Sequence, residues 1–204
     1  MKRMVMNMVV VSVALCFAGK VLAQDALTDA FYASYTAESQ KNVSGAITAL
    51  KAVEPAERDS YVLNLRLGWL SYLAGLWNES IAYYQRAADL APEAIEPLQG
   101  VILPLAAAGK TTEIAKTHQD IIKLDPNNYR SLSQLAWRSY LSKDYKKAAG
   151  HYARLVKLHP TDTEMLLGLG YSQKLGGALD EAKKQFQRVL LLSPRNPRAL
   201  EGLK

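Results

Sequence analysis

The chain has 204 residues, of which 49% are hydrophobic and 22% are charged, with a formal net charge of +6. These fractions are typical of a folded globular protein and exclude an intrinsically disordered chain. The length accommodates one domain or one short array of repeats with a sizeable core. The single cysteine, Cys16, excludes a fold held together by disulfide bonds.

Residues 1–23 have the pattern of a secretory signal peptide. Lys2 and Arg3 precede an uncharged, mostly apolar run over residues 4–19, and Ala23 ends a Val-Leu-Ala sequence that suits cleavage before Gln24. The uncharged run is shorter than the ~20 residues that a membrane-spanning helix needs. The pattern therefore predicts an exported protein of the bacterial periplasm, with no membrane span after cleavage.

Cleavage after Ala23 changes both the cysteine and the charge arguments. Cys16 lies between Leu15 and Phe17 in the middle of the apolar run, which argues against lipidation, and its removal leaves no thiol for metal binding or catalysis. Residues 24–204 carry 22 Lys and Arg against 19 Asp and Glu, a difference of +3. Residues 129–160 hold seven basic residues and one acidic residue. This basic stretch is interpreted as a solvated face, or as a surface for an acidic partner or an anionic envelope; no nucleic-acid partner is expected of an exported protein.

A pattern with a period of thirty-four residues runs through the sequence, and we call this spacing the repeat length. Leu-x-Pro recurs at it in positions 90–92, 124–126, 158–160 and 192–194, and the Trp-x-Ser-Tyr motifs that begin at Trp69 and Trp137 are two repeat lengths apart. Apolar residues recur at three- and four-residue steps within each unit, which predicts two amphipathic helices. The turn between the helices is marked at the same period by Gly75, Gly109 and Gly177, with Lys143 in the remaining unit. A glycine accepts the positive φ that ends a helix, and the proline stops the second helix.

These units resemble the tetratricopeptide repeat. The residues that carry the resemblance are Leu67-Gly68, Gly75, Tyr84, Ala87 and Pro92 in one unit, and Leu169-Gly170, Gly177, Ala182, Phe186 and Pro194 in another. The resemblance implies an all-α fold, a right-handed superhelical array of antiparallel helix pairs known as a TPR solenoid.

The period divides the rest of the chain into six segments. They are a divergent N-terminal helix pair (24–60), four repeats (61–94, 95–128, 129–162, 163–196) and a short C-terminal capping helix (197–204). In the repeat at 95–128, Ile102 replaces a small residue and Pro104 falls inside the first helix, where it should produce a kink. The kink is either a hinge or a distortion that the repeat tolerates.

No catalytic, metal or cofactor site is expected. Gly109-Lys110-Thr111 is similar to the end of a phosphate-binding loop, but Pro104 stands at the first glycine position and has no N–H to offer a phosphate. His118 occupies the aromatic column of the repeat and is expected to be packed. His151 and His159 lie among Lys and Arg, whose charge disfavours a metal. The sequence therefore predicts a non-catalytic protein.

The resemblance also implies a concave surface, formed by the first helix of each pair, that binds peptides or partner helices. One column of the repeat, rich in aromatic residues, forms the centre of the predicted lining: Tyr35, Trp69, Leu103, Trp137 and Tyr171. The prediction adds Tyr72 and Tyr140, three residues after the two tryptophans, and Leu65 and Leu167, one turn before Trp69 and Tyr171. Arg130 is predicted to lie at the rim. Such a surface would recognise apolar side chains of an extended segment or helix. In the alternative interpretation, these rings pack between adjacent first helices.

The function predicted is a protein-interaction scaffold of the cell envelope whose partner is a peptide or helix. Two alternatives stay open: a homo-oligomeric structural protein, and an accessory that delivers substrate to an export machinery. One subclass of the family holds a C-terminal carboxylate with Lys and Asn. Leu65, Trp69, Gln99 and Leu103 occupy the matching faces, so that clamp is absent.

Overall fold

The computed structural model describes residues 25–204, so the predicted signal peptide and its cleavage site lie outside the described residues. Within this range all regular structure is helical. The described part of α1 covers residues 25–39. The other helices are α2 (Val43–Lys51), α3 (Tyr61–Leu73), α4 (Trp77–Leu90), α5 (Glu96–Ala107), α6 (Thr111–Leu124), α7 (Tyr129–Leu141), α8 (Tyr145–Leu158), α9 (Thr163–Leu175), α10 (Leu179–Leu192) and α11 (Pro197–Gly202).

The second helix of each pair repeats with the predicted period. These helices begin at intervals of one repeat length, at Trp77, Thr111, Tyr145 and Leu179, and each ends at the leucine of a Leu-x-Pro sequence. The proline lies two positions beyond that leucine and cannot donate a hydrogen bond to extend the helix. The repeating stop signal in the sequence therefore fixes the length of these helices.

The turn inside each pair has a left-handed residue at one fixed position. Gly75, Gly109 and Gly177 have φ of 76°, 71° and 88°, and Lys143 takes the same conformation with φ of 63°. Lys41, one repeat length before Gly75, also has a positive φ of 61°. The backbone thus keeps the same period in the N-terminal pair, where no glycine marks it.

Side-chain caps begin most of the first helices at the same period. The side chains of Asn128, Asp162 and Asn196 each accept hydrogen bonds from backbone N–H groups in the next turn, as does that of Ser60 at α3. Such caps satisfy N–H groups that have no partner inside the helix. At the equivalent position before α5 the residue is Ala94, and that helix begins at Glu96 without a side-chain cap.

The chain divides into two compact units, unit 1 up to Gly109 and unit 2 from Lys110 onward. In unit 1, α3 packs against α2, α4 and α5. The ring of Tyr84 fits against two glycines, since a Cβ added at Gly100 would lie 2.3 Å from that ring and one at Gly68 would lie 3.0 Å from it. The core cluster of this unit comprises Ala30, Ala46, Ile47, Leu50, Leu63, Leu67, Leu70 and Tyr83.

Unit 2 is built in the same way. Helix α9 packs against α8, α10 and α11, and α7 packs against α8. Tyr152 lies against Gly168, and Phe186 lies against Gly170 and Gly202, so the contact between ring and glycine recurs. His118 takes the ring position in its repeat, where it is buried with Nδ1 3.1 Å from Ser131 Oγ. The expectation that His118 is a packed residue is confirmed.

Pro104 is buried inside α5, which continues to Ala107. The proline therefore does not end the helix. The predicted kink and hinge stay predictions.

Candidate protein-binding groove

A pocket of about 450 Å³ opens in unit 2 between α7, α9 and α11. Three of the residues predicted to form a binding groove line it, namely Trp137, Tyr140 and Tyr171. The other lining residues are Ser133, Gln134, Tyr152, Glu164, Met165, Gly168 and Arg198. We call this site the unit 2 pocket; its size lies within the ~300–1,000 Å³ typical of ligand sites.

The α7 side of the pocket is a pair of stacked rings. Trp137 and Tyr140 are three positions apart and therefore lie on the same helix face. Their ring centroids are 5.6 Å apart with 11° between the planes, and the edge of Tyr145 supports Tyr140 at 5.7 Å. Trp137 keeps 51% of its surface exposed. This side of the pocket therefore presents a supported aromatic surface to solvent.

The α9 side is held in place by contacts within unit 2. The Tyr171 hydroxyl donates to the backbone carbonyl of Arg198 at 2.7 Å, and its ring packs edge-on against Phe186 at a centroid distance of 5.0 Å. Gly168 adds no side chain to the wall, and a Cβ at that position would lie 2.4 Å from the ring of Tyr152. These contacts fix the pocket's shape before any partner arrives.

One ion pair lies at the pocket. Arg198 Nη1 donates to both carboxylate oxygens of Glu164, at 3.0 and 2.8 Å, and both side chains are more than half exposed. An ion pair this exposed contributes little to stability. Burial is the main cause that raises the pKa of both Tyr140 and Tyr152. The neighbouring Tyr145 and Tyr171 raise that of Tyr140 further. Tyr140 and Tyr152 are therefore neutral at physiological pH, and the lining has one acidic side chain, Glu164, and one basic side chain, Arg198.

The equivalent tryptophan in unit 1 has different surroundings. Trp69 Nε1 donates to Glu38 Oε1 at 3.1 Å, and Glu38 also pairs with the buried Arg66 at 2.6 Å. The guanidinium of Arg66 lies over the ring of Tyr35, 3.8 Å from its centroid. Burial tends to raise the pKa of Glu38, but the hydrogen bonds from Arg66 and Trp69 outweigh it and lower that pKa. Both side chains therefore contact the Glu38–Arg66 ion pair of unit 1, Trp69 through a hydrogen bond and Tyr35 through its ring, while each keeps part of its surface exposed.

The other predicted groove residues of unit 1 lie on α3 or α5. Tyr72 is half-buried between Trp69 and Trp77, with ring centroids 5.8 and 5.6 Å away. Leu65 is half-buried on α3, and Leu103 is exposed on α5. For Trp69 and Tyr72, the packing interpretation describes the contacts better than a free groove does.

Two predictions in unit 2 need correction or restriction. Leu167 is 0% exposed and belongs to the core cluster of the unit. Its assignment to the groove is wrong, because its side chain joins Leu166 and Leu169 in the apolar interior instead of facing solvent. Arg130 is exposed on α7 but is not among the residues that line the pocket.

Several lining residues are missing from the predicted groove, although the repeat marks some of them. Glu164 and Arg198 stand one and two repeat lengths after Arg130, which is in the prediction. Gln134 and Gly168 share another position of the period. Tyr152 stands out in the sequence only as a ring of the repeat core, and no sequence signal indicates that its edge reaches a pocket.

The described residues contain no group of three or more His, Cys, Asp and Glu side chains placed to hold a metal ion. Burial first, and then Lys147 and Arg154, lower the pKa of His151. Among residues 25–204, no helix is long and apolar enough to cross a membrane.

Helix pairs in tandem, with a fixed turn conformation and a ring–glycine contact in successive pairs, define a helical-repeat protein. The sequence profile of the tetratricopeptide repeat matches residues 164–195. The chain therefore contains a tetratricopeptide repeat at residues 164–195, and its described residues have the fold of a TPR solenoid.

Solved structures share this fold at low sequence identity. MamA is 19% identical with a TM-score of 0.65, and the match covers 84% of this chain and 94% of MamA. A tetratricopeptide repeat protein from Parabacteroides merdae is 19% identical with a TM-score of 0.66, covering 88% of this chain and 71% of that one. YrrB, described as a TPR protein with an unusual peptide-binding site, is 11% identical with a TM-score of 0.63, covering 91% of this chain and 96% of YrrB.

A curated relative matches over a shorter stretch. The RNA polymerase-associated protein CTR9 of Caenorhabditis elegans is 29% identical over 84 residues, which are 41% of this chain. The aligned part spans only 7% of the length of that relative.

Proposed function

We propose that this protein is a non-catalytic scaffold that holds a protein partner in the unit 2 pocket. The observation that carries the proposal is the stacked pair of Trp137 and Tyr140, which faces solvent in a pocket with a fixed opposite wall. Aromatic side chains in well-packed pockets account for much of the binding energy in protein interfaces. The peptide-binding site named for YrrB supports the same kind of function in this fold.

The partner is a peptide segment or a helix, because the pocket is open and its floor comes from several helices. The lining combines large apolar surfaces with a few polar groups such as Gln134 and the Glu164–Arg198 pair. This mixture suits recognition of side chains on a neighbouring polypeptide. No cofactor or metal is part of the proposal.

We place this scaffold in the cell envelope, as the pattern of residues 1–23 predicts. The test is fractionation of the native host followed by N-terminal sequencing. A mature chain that begins at Gln24 in the soluble envelope fraction supports export. A full-length chain in the cytoplasm would overturn it.

Self-association is the alternative, and one observation favours it. Leu179 and Leu203, which are 62% and 37% exposed, line a cavity of about 220 Å³ beside the short C-terminal helix α11, where a second copy of the chain could dock. Light scattering over a range of protein concentrations tests this alternative: a concentration-independent monomer rules it out. A substrate-delivery role differs from the main proposal only in what the captured partner does.

The binding proposal is tested by capture of partners from an envelope extract with the wild-type protein and with Trp137→Ala. Loss of an aromatic anchor should weaken capture by about 2 kcal/mol or more. Leu191→Ala is the control, because it removes an exposed apolar side chain of the same unit that does not line the pocket. Circular dichroism establishes that the variants are folded. Equal capture by a folded Trp137→Ala variant contradicts the proposal.

A further inference from the structure

We propose that the unit 2 pocket recognises an internal, acidic segment of a partner protein, and that this segment inserts an aromatic side chain between Trp137 and Tyr171. This inference rests on the proposed function and specifies the partner's chemistry. It follows from the shape of the pocket, from the positive charge of unit 2 and from the unused hydrogen-bond donors of Arg198.

The walls and volume suit an aromatic ring. A cavity of about 150 Å³ holds benzene in a protein interior, and the pocket of about 450 Å³ has room for a larger ring and part of its backbone. Trp137 and Tyr140 already stack with only 11° between their planes. A further ring can continue that stack or meet it edge-on, which adds energy beyond the burial of its apolar area.

The charge of unit 2 favours an acidic partner. Residues 110–204 carry 17 Lys and Arg against 9 Asp and Glu, a difference of +8, whereas residues 25–109 carry 5 against 10. The three helices around the pocket, α7, α9 and α11, contain four basic and two acidic residues. An excess of positive charge attracts acidic segments and speeds their association.

Both acidic side chains of those three helices are already paired. Glu164 binds Arg198, and Glu201 lies 2.7 Å from Lys204. Arg130 and Arg138 are exposed on α7, and neither forms an ion pair with any other described residue. The basic side chains near the pocket that have no acidic partner are therefore available to bind acidic residues of another protein.

Arg198 is placed to receive a carboxylate at the pocket itself. Only its Nη1 donates to Glu164, while Nη2 and Nε form no hydrogen bond within the described part of the chain. A guanidinium presents five donors in a planar fork, so the unused donors can bind a second carboxylate. A glutamate or aspartate next to the inserted ring would occupy this position.

An aromatic pocket also suits a cationic ligand, but the charges argue against one here. The single carboxylate that lines the pocket is neutralised by Arg198, and the surrounding unit would repel a cation. The segment is internal because the clamp for a C-terminal carboxylate is missing. Two repeat lengths after Leu65, Trp69, Gln99 and Leu103, unit 2 has Ser133, Trp137, Leu167 and Tyr171, so neither the lysine nor the asparagine of that clamp stands at these positions.

Synthetic peptides with blocked ends test the proposal directly. The probe has six glutamates around a central phenylalanine; one comparison peptide has alanine at the centre, and another has six lysines around phenylalanine. Isothermal titration calorimetry measures their affinity for the purified protein in low salt. We expect the acidic phenylalanine peptide to bind about tenfold or more tightly than either comparison peptide, a difference of about 1.4 kcal/mol.

Variants locate the binding. Trp137→Ala should weaken binding of the acidic phenylalanine peptide about tenfold or more, and Arg198→Gln should weaken it and reduce its salt dependence. Leu191→Ala, outside the pocket, should leave the affinity unchanged.

Three results would each overturn this inference: equal affinity for the alanine peptide, tighter binding of the lysine peptide, and unchanged affinity in folded Trp137→Ala. The proposed function has a separate test. If the acidic peptide fails to bind while Trp137→Ala still abolishes partner capture, the scaffold function stands and the acidic, aromatic preference is wrong.

Discussion

Trp69 and Glu38 are joined by a hydrogen bond of 3.1 Å from the indole nitrogen to a carboxylate oxygen. Trp137 stands two repeat lengths after Trp69, yet the residue at the corresponding distance after Glu38 is Ala106, whose side chain has no acceptor. Trp137 instead stacks on Tyr140 and remains 51% exposed, against 37% for Trp69. The same residue at the same repeat position is therefore part of a stabilising network in one unit and of an open surface in the other.

The first prediction compares the two tryptophans by urea unfolding. Trp69→Ala should lower the free energy of unfolding of unit 1 by about 2 kcal/mol or more, because it removes packing and a hydrogen bond to a charged group. Trp137→Ala should lower that of unit 2 by less than about 1 kcal/mol, since the ring is largely exposed. Equal losses in the two variants would show that both rings are structural.

Glu38→Gln tests the same network without making a cavity. The amide oxygen can still accept the Trp69 hydrogen bond, but the charge that compensates the buried Arg66 is lost. Breaking a fully buried ion pair from one side costs about 3–5 kcal/mol, and the loss here should be smaller because the Glu38 side chain is 26% exposed. We therefore expect Glu38→Gln to destabilise unit 1 measurably in urea; an unchanged unfolding midpoint would mean that the network contributes nothing.

The turn residue Lys143 provides a second prediction. A left-handed conformation costs a residue with a Cβ about 1–2 kcal/mol, part of which glycine recovers. Lys143→Gly should therefore raise the free energy of unfolding by about 0.5–1 kcal/mol. Lys184→Gly, at an exposed position inside α10, is the matched control and should lower it by about 1 kcal/mol. Thermal melting of the two variants in parallel distinguishes a local turn effect from a general effect of losing a lysine.

The sequence predicts the helix pairs well because turn and stop signals are local and recur in each repeat. It even places Lys143 at the turn, where the glycine is missing. It predicts the groove less well, because the exposure of a side chain depends on the neighbouring repeat. Spacing alone predicts a groove position for Leu167, but the apolar interior of unit 2 includes it. The partner of Trp69 is Glu38 on α1, which no repeated pattern marks.

The third prediction concerns pH. Burial is the main cause that lowers the pKa of His118 and of His151 below 6.5. The positive charge of Arg130 adds to the effect at His118, and those of Lys147 and Arg154 add to it at His151. The unfolded chain therefore takes up protons at a higher pH than the folded chain does. The contribution of both histidines to stability is complete above about pH 6.5 and decreases as the pH falls toward the lowered values.

Urea unfolding of unit 2 should accordingly show a lower midpoint at pH 5 than at pH 8. The double variant His118→Asn with His151→Asn should lose most of that difference, because asparagine does not titrate. Asparagine also offers His118's neighbour Ser131 a hydrogen-bonding group. A wild-type protein that is equally stable at both pH values would contradict the lowered pKa values.

The last prediction uses two glycines on helices of unit 2. Alanine stabilises an exposed helix position by about 1 kcal/mol relative to glycine. A Cβ added at Gly150 in α8 would have no neighbouring atom within 4 Å. Gly150→Ala should therefore be stabilising. At Gly168 in α9 the added methyl would lie 2.4 Å from the Tyr152 ring, which is itself buried. Overpacking of this kind typically costs about 1–3 kcal/mol, so Gly168→Ala should be destabilising in spite of its better helix propensity.

The same substitution should also reach the binding site, because Gly168 and Tyr152 both line the unit 2 pocket. Relief of the clash requires the Tyr152 ring or α9 to shift, and either movement changes the space beside Trp137 and Tyr171. We expect a folded Gly168→Ala protein to lose affinity for the acidic phenylalanine peptide while Gly150→Ala retains it. Calorimetric titration and urea unfolding of both variants check the two halves of this prediction. Stabilisation by both alanines, with unchanged binding, would show that the ring and the helix are not in the close contact that shapes the pocket.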